Sequence, residues 1–375
     1  MNPSLAELIE ISRRVGKDPW LVQGGSGNTS IKTADERFMF IKASGTSLAD
    51  MNKNKGWRRM NLAKVRGIIK DKKLAKPGLR KRETAVAGRL LAACEDNTKG
   101  NFRPSIEANL HAFLDKCVIH LHPTTVGVFV NSKNGKVKIE KLFACEMFPP
   151  LWVPYANPGF ALAKKIADLS SKYQKKHGQL PQILFLEKHG LFISAAKPAQ
   201  ALRLVWKVIN RCGKKLTCPA AKKIRKPDVK AIRNAKLAIK DAIFKATGQN
   251  QALHFFHNNI TSAFARKRGT GRLLKTGPLN PNEIIYCNGP AVWLEKLQED
   301  KIAIGLKKQI AKGRKPSVVF LVKNLGLFVI GSIKSASIVE QVVCSSLFVR
   351  YNAQRLGGIA ALTKSEQAFI QNFGA

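Results

Sequence analysis

The chain has 375 residues, of which 45% are hydrophobic, so a natively disordered chain is excluded; no apolar run approaches the ~20 residues that cross a bilayer as a helix. Its seven cysteines are scattered and odd in number, without a C-x-x-C pair, which excludes a disulfide scaffold and points to reduced cytosolic thiols. The formal net charge is +41, from 65 Lys+Arg against 24 Asp+Glu. Such a field attracts polyanions. Aromatic residues make up only 7%, and no zinc-finger or RNA-recognition pattern accompanies the charge. A solvated lysine-rich surface is therefore expected, with nucleic acid held only through non-specific charge. The N-terminus has no charged segment followed by an apolar run, so no signal peptide is read and a cytoplasmic location is expected.

In chain order, residues 3–15 place Leu5, Leu8, Ile11 and Val15 at helical spacing, with Ser4 as the expected N-cap. A Gly-rich turn over Gln23–Asn28 leads into strand-like runs at Thr29–Lys32 and Arg37–Ala43, followed by a second turn over Ser44–Ser47. Residues 58–94 are basic and read as helical. Glu107–Lys116 reads as a helix with Ser105 near its N-cap, and Cys117–His120 and Thr124–Asn131 are β-rich. A basic amphipathic helix is expected within Asn157–His177, strands at Ile183–Leu186 and Leu191–Ser194, and a helix at Ala199–Arg211 with Pro198 in its first turn. The expected organisation is a catalytic α/β domain over residues 1–215, a basic helical connector over 216–250, and a C-terminal α/β segment over 251–375. That last segment holds an internal echo. Val318–Val329 resembles Gln182–Ile193, and aligning their Gly-Leu-Phe triplets puts Leu325 where His189 stands. The echo reads as a degenerate repeat that has lost a metal ligand, with chance similarity of two buried strand–turn–strand units as the alternative.

His120 and His122 are the strongest chemical signal. At i, i+2 on an extended strand both imidazoles point to one face. A third histidine, His189, precedes a glycine at a strand end. Three histidines with an open position are a common way to hold a catalytic divalent ion. Neutral imidazoles favour Zn²⁺, although other divalent first-row ions suit the same set. Glu107 lies near an expected helix start and is the candidate acid/base. His111, four residues later, is expected either to pack or to hydrogen-bond. Gly25-Ser-Gly27-Asn28 is not a dinucleotide fingerprint, because a β-like run follows where a helix should begin. The two turns and Ser105 still offer backbone N–H groups and hydroxyls to an anion.

Together, Gly27–Ser30, Ala43–Thr46, Pro104–Glu107, His120–Pro123, Val153–Gly159 and Glu187–Leu191 resemble the class II aldolase/adducin family, most closely the aldolase portion of bifunctional rhamnulose-phosphate aldolase/alcohol dehydrogenase proteins. Gly277–Pro281 and Gly326–Phe328 resemble that portion's C-terminal part. The resemblance implies a three-layer α/β/α fold around a mainly antiparallel sheet, and often a homotetramer. It also implies zinc on His120, His122 and His189, Glu107 as acid/base, and a substrate phosphate on Asn28, Ser44, Gly45 and Ser105. The implied reaction is cleavage of a ketose 1-phosphate of the rhamnulose or fuculose type to dihydroxyacetone phosphate and an aldehyde. Related epimerase, dehydratase or decarboxylase chemistry, and a non-catalytic adducin-like binding module, are the alternatives. Ile106 stands where fuculose-phosphate aldolase-like members carry a second serine. Tyr155 is read as helix-start packing, with a second proton-donor role as its alternative.

Overall fold

The computed structural model describes residues 2–76, 78–96, 102–219 and 227–373. The chain divides into two compact units, residues 1–215 and residues 216–371. In the first, helix α1 (Pro3–Gly16) begins at the expected residue 3, but its cap lies two residues before Ser4. Its cap is Asn2, whose side chain accepts from the Ser4 amide, while Pro3 fills the first helical position. Ser4 is therefore inside the helix and buried, not its cap.

Seven strands follow: β1 (Asn28–Lys32), β2 (Phe38–Lys42), β3 (Trp57–Asn61), β4 (Cys117–Leu121), β5 (Leu151–Val153), β6 (Ile183–Leu186) and β7 (Gly190–Ala195). Their order is β3-β2-β1-β4-β7-β6-β5, with β5–β6 the one parallel pair. Seven further helices belong to this unit: α2 (Leu62–Lys70), α3 (Leu79–Ala92), α4 (Ala108–His111), α5 (Thr124–Val130), α6 (Gly135–Leu142), α7 (Phe160–His177) and α8 (Pro198–Gly213). Strand alternation sends Met39, Ile41 and Met60 into a core with Val65 of α2, Val86 and Leu90 of α3, and Phe160 of α7. On the same side, Val118, Leu184 and Phe192 pack on Leu110, Leu162 and Ile166. Helices α1, α5 and α8 lie against the opposite face. The result is the three-layer α/β/α architecture expected from the resemblance, with a mainly antiparallel sheet.

Three local expectations are corrected. Within residues 58–94, β3 precedes the helices; its half-buried alternation is masked in sequence because an inward position is Arg58, which is buried against Asp96 at 2.9 Å. Thr124–Val130 is helical rather than β-rich. It is a short apolar run of a kind that periodicity alone cannot assign, and its contacts with α8, α6 and β7 decide the outcome. The helix expected over Glu107–Lys116 is a single turn at Ala108–His111, because the chain must be extended again by Cys117.

The second unit contains α9 (Val229–Thr247), β8 (Leu253–Phe256), α10 (Asn259–Arg266), α11 (Thr270–Leu274), α12 (Pro281–Cys287), β9 (Val292–Leu294), α13 (Glu299–Ala311), β10 (Val319–Val322), β11 (Gly326–Ile330) and α14 (Ile333–Arg355), with α15 (Lys364–Phe373) closing the chain. Its sheet runs β8-β11-β10-β9. Part of the expected connector, residues 220–226, lies outside the described residues. Its helix α9 is a structural layer of this unit: Ala235, Ile239, Ala242 and Ile243 share a core with Leu306, Phe320 and Phe328. Among the described residues, no helix is long and apolar enough to cross a membrane.

The β6–β7 and β10–β11 hairpins match bond for bond. The His189 and Leu325 amides donate to Leu186 O and Val322 O, each at 3.1 Å. Lys188 donates to Val130 O at 2.8 Å and Asn324 to Ala265 O at 2.9 Å. Both turns use a left-handed residue, Lys188 at φ 53° and Asn324 at φ 62°. In register, Phe255 pairs with Phe328 as His120 pairs with Phe192, so Phe255, His257 and Leu325 stand where His120, His122 and His189 stand in the first unit.

The second unit is fastened by Arg350, fully buried on α14. It holds both oxygens of Glu283, at 3.0 and 2.8 Å, and donates to Gly277 O at 3.0 Å. Glu283 also accepts from the Leu279 amide at 2.6 Å, so the pair clasps the Gly277–Pro281 loop. Removing one member leaves the other charge buried and unpaired. Arg350→Met is expected to destabilise the protein by about 3–5 kcal/mol in urea unfolding, and Arg350→Met with Glu283→Gln to recover much of that loss.

Candidate functional site

The three histidines converge. Each offers a ligand nitrogen, and these atoms lie within 4.8 Å of one another. The Nε2 atoms of His120 and His122 are 3.0 Å apart. His120 lies on β4, His122 just past the end of that strand, and His189 in the turn that leads into β7. His120 sits fully buried on β4, stacked on Phe192 at 4.1 Å, and its Nδ1 lies 3.0 Å from Leu191 O. That carbonyl requires the Nδ1–H tautomer, which leaves the Nε2 lone pair for the site. The backbone of His122 is held by its amide donating to Leu21 O at 3.1 Å. His189 is delivered by the left-handed turn at Lys188. Gly190 completes the fit: a Cβ there would stand 2.5 Å from Leu121 O and 2.8 Å from His122 Cδ2. Only glycine lets the two strands bring these rings together.

Burial lowers the pKa values of His120 and His189. The rings stay neutral, as metal ligation requires. Three convergent imidazoles, one with its tautomer fixed, fit a divalent cation; nitrogen donors of this kind suit a borderline metal such as zinc.

Glu107 faces these nitrogens. Its Oε2 is 3.4 Å from His120 Nε2 and its Oε1 is 3.3 Å from His189 Nε2. Asn28, paired with His120 across β1 and β4, donates from Nδ2 to Glu107 Oε2 at 2.6 Å and to Ser105 Oγ at 3.2 Å. Ser105 Oγ also accepts from the Glu107 amide at 3.2 Å, so its own hydroxyl hydrogen stays available. Gly27, at φ 68°, brings this strand within reach, since a Cβ there would lie 2.8 Å from His120 O.

The structure thus gathers His120, His122, His189, Glu107, Asn28 and Ser105. Ser44 is held beside the group, its hydroxyl donating to Pro104 O at 3.1 Å, and Gly45 follows in an open left-handed turn at φ 79°. No contact joins Ser44 or Gly45 directly to Glu107 among the described residues. Tyr155 is occupied elsewhere, donating to Asn157 Oδ1 at 3.3 Å.

Two residues were underrated from sequence. His111 is a buried hydrogen-bonding group. Its Nε2 is bonded to Asn28 Oδ1, which orients the Asn28 amide toward Glu107, and its Nδ1 meets Ser30 Oγ at 2.8 Å. Lys42, missed altogether, is buried with Nζ donating to Gly25 O at 2.8 Å. Burial pulls its pKa down to about 8 against the opposing pull of Glu107. Its signal was a lysine ending an otherwise apolar strand, Phe38–Lys42.

Burial drives the His111 pKa down to about 3, from about 6.5 in the unfolded chain. The unfolded state therefore binds the proton first, and stability present above pH 6.5 is lost as pH falls toward 3. Metal-free protein is expected to lose on the order of 2 kcal/mol from this group between pH 7 and 5, measured by urea unfolding. His120 and His189 act in the same direction. Constant stability across that window would show that these rings take up protons as readily in the fold as in the unfolded chain.

A family model, Class II Aldolase and Adducin N-terminal domain, matches residues 6–214. A protein of Bacillus subtilis (strain 168) described as an uncharacterized oxidoreductase, YuxG, is 35% identical over 193 residues; the match covers 49% of this chain and 25% of that protein. This chain therefore spans about a quarter of the length of that relative. Among solved structures, the N-terminal class II aldolase domain of a conserved Thermoplasma acidophilum protein is 25% identical, with a TM-score of 0.46 and coverage of 56% of this chain and 93% of that one. The l-fuculose-1-phosphate aldolase of Thermus thermophilus is 16% identical, with a TM-score of 0.33 and coverage of 55% and 92%. With the family model covering more than half of its length, the chain belongs to the class II aldolase and adducin N-terminal domain family.

Proposed function

We propose that this chain is a metal-dependent aldehyde-lyase that splits the C3–C4 bond of a ketose 1-phosphate, of the rhamnulose or fuculose type, into dihydroxyacetone phosphate and an aldehyde. The observation that carries the reading is the Glu107 carboxylate lying 3.3–3.4 Å from two of three convergent imidazole nitrogens. His120, His122 and His189 would hold zinc, and a bound divalent cation would supply electrophilic stabilisation of negative charge developing on substrate oxygen.

The chain's own residues do the rest. As a base takes the C4 hydroxyl proton, C4 becomes the aldehyde carbon and the C3–C4 electron pair passes into an enediolate. Glu107 delivers a proton to C3 of that enediolate. It is aimed by Asn28, whose amide is oriented by His111. Ser105, with its hydroxyl hydrogen available, and Ser44 with the open Gly45 turn would receive the phosphate together with Asn28. Asn28 thus serves both the acid and the phosphate, which ties substrate binding to the placement of Glu107.

The match to a much longer relative described as an oxidoreductase supports a relationship to the aldolase portion of aldolase/dehydrogenase fusions. A cytoplasmic homotetramer is part of the same reading. The test is elemental analysis combined with a cleavage screen on ketose 1-phosphates. Dihydroxyacetone phosphate should appear, vanish with a chelator and return with zinc. A protein that epimerises or dehydrates these substrates without breaking the C3–C4 bond would overturn the lyase assignment.

A further inference from the structure

The second unit gathers cations around a cleft at a place where the first has few. Between α5 and α6 the first unit reads Asn131-Ser132-Lys133-Asn134; at the matching place, from the last residue of α10 to the first of α11, the second reads Arg266-Lys267-Arg268-Gly269-Thr270. The match is fixed on one flank by the paired amide bonds to Val130 O and Ala265 O. On the other flank, Gly135 and Gly271 each lie against a tryptophan, Trp152 and Trp293. In the hairpin turn, Glu187 is replaced by Lys323. Over these positions the first unit holds two lysines, Lys133 and Lys188, and a glutamate, against four cations in the second. The chain's high net charge cannot account for this contrast, because both units share it.

Arg266, Lys267, Arg268, Lys323, Arg272 and Lys275 line a cleft of about 700 Å³ with the half-buried Trp293 in its wall. Its single carboxylate, Glu295, is paired with Lys323 at 2.7 Å. Lys267 lies over the Tyr351 ring at 4.9 Å. Among the described residues, no carboxylate pairs with Arg268, Arg272 or Lys275. Gly271 keeps the indole seated, since a Cβ there would come 2.6 Å from Trp293 Cδ1.

We propose that this cleft binds a nucleoside polyphosphate. Guanidinium forks match phosphate oxygens in pairs, and several unpaired cations around one cleft call for several consecutive phosphates. The indole supplies a face for a planar base. The volume lies within the roughly 300–1,000 Å³ range of small-ligand sites.

Calorimetry with ATP, with tripolyphosphate and with a short DNA duplex, at about 150 mM salt to screen diffuse attraction, tests the assignment. Arg268→Glu/Arg272→Glu is compared with Lys172→Glu/Lys175→Glu, which makes the same charge change on exposed positions of α7. ATP affinity is expected to fall at least about tenfold in the first variant and less than about twofold in the second. ATP should bind more tightly than tripolyphosphate and quench tryptophan fluorescence, with the quench reduced in Trp293→Phe. Equal losses in both charge variants, no ATP binding at this salt, or duplex binding without ATP binding would each overturn the proposal.

Discussion

Replacing Glu107 by glutamine is expected to leave the metal in place and remove most turnover. The substitution keeps the size of the side chain, and the amide can still meet Asn28, so the local packing survives. What it removes is a carboxylate that can carry a proton, held between His120 and His189 at 3.4 and 3.3 Å. General acid–base groups contribute roughly 10²–10⁴-fold, so kcat should fall within that range while KM changes little. Metal content should match wild type, because Glu107 is not one of the three nitrogen donors. An active Glu107→Gln enzyme would take Glu107 out of the chemistry and leave it as a residue that orders the histidines. An inactive, metal-poor variant would instead make the carboxylate part of the metal's own shell.

Much of this site could be read from the sequence because its signals are local. The i, i+2 spacing of His120 and His122 falls at the end of β4 and brings both rings to one site, and the His189–Gly190 pair marks a turn whose glycine has a steric purpose. Strands β1, β2, β6 and β7 follow from short β-like runs bounded by turns, and helices α1, α7 and α8 from helical patterning. What escaped depends on partners distant in the chain. Lys42 reads as an ordinary surface lysine until β2 is folded against the Gly25 turn. His111 becomes an orienting group only when β1 brings Asn28 and Ser30 to it across more than eighty residues. Strand β3 hides because an inward charge, Arg58, is satisfied by Asp96 far along the chain. Helix α5 is β-branched by composition and helical by contact. In each case tertiary burial overrides local preference, which no window of sequence records.

His189→Ala should give the opposite signature to Glu107→Gln: loss of metal first, and loss of turnover because of it. Two of the three ligands sit two residues apart, at the end of β4 and just past it, but His189 arrives from a separate turn and closes the set. Without it, His120 and His122 form only a two-nitrogen site, and dialysis should strip the ion from about one per chain to a small fraction. Adding excess zinc should restore part of the activity if the geometry of the remaining pair is intact. Gly190→Ala offers a subtler check of the same claim. It deletes no ligand, yet its Cβ would stand 2.5 Å from Leu121 O and 2.8 Å from the His122 ring. The two strands would have to part, moving His189 away from its partners, so metal affinity should drop with every donor still present. If His189→Ala keeps its full complement of metal after dialysis, the ion is not held by these three rings, and the electrophile proposed for the reaction must be sought elsewhere in the chain.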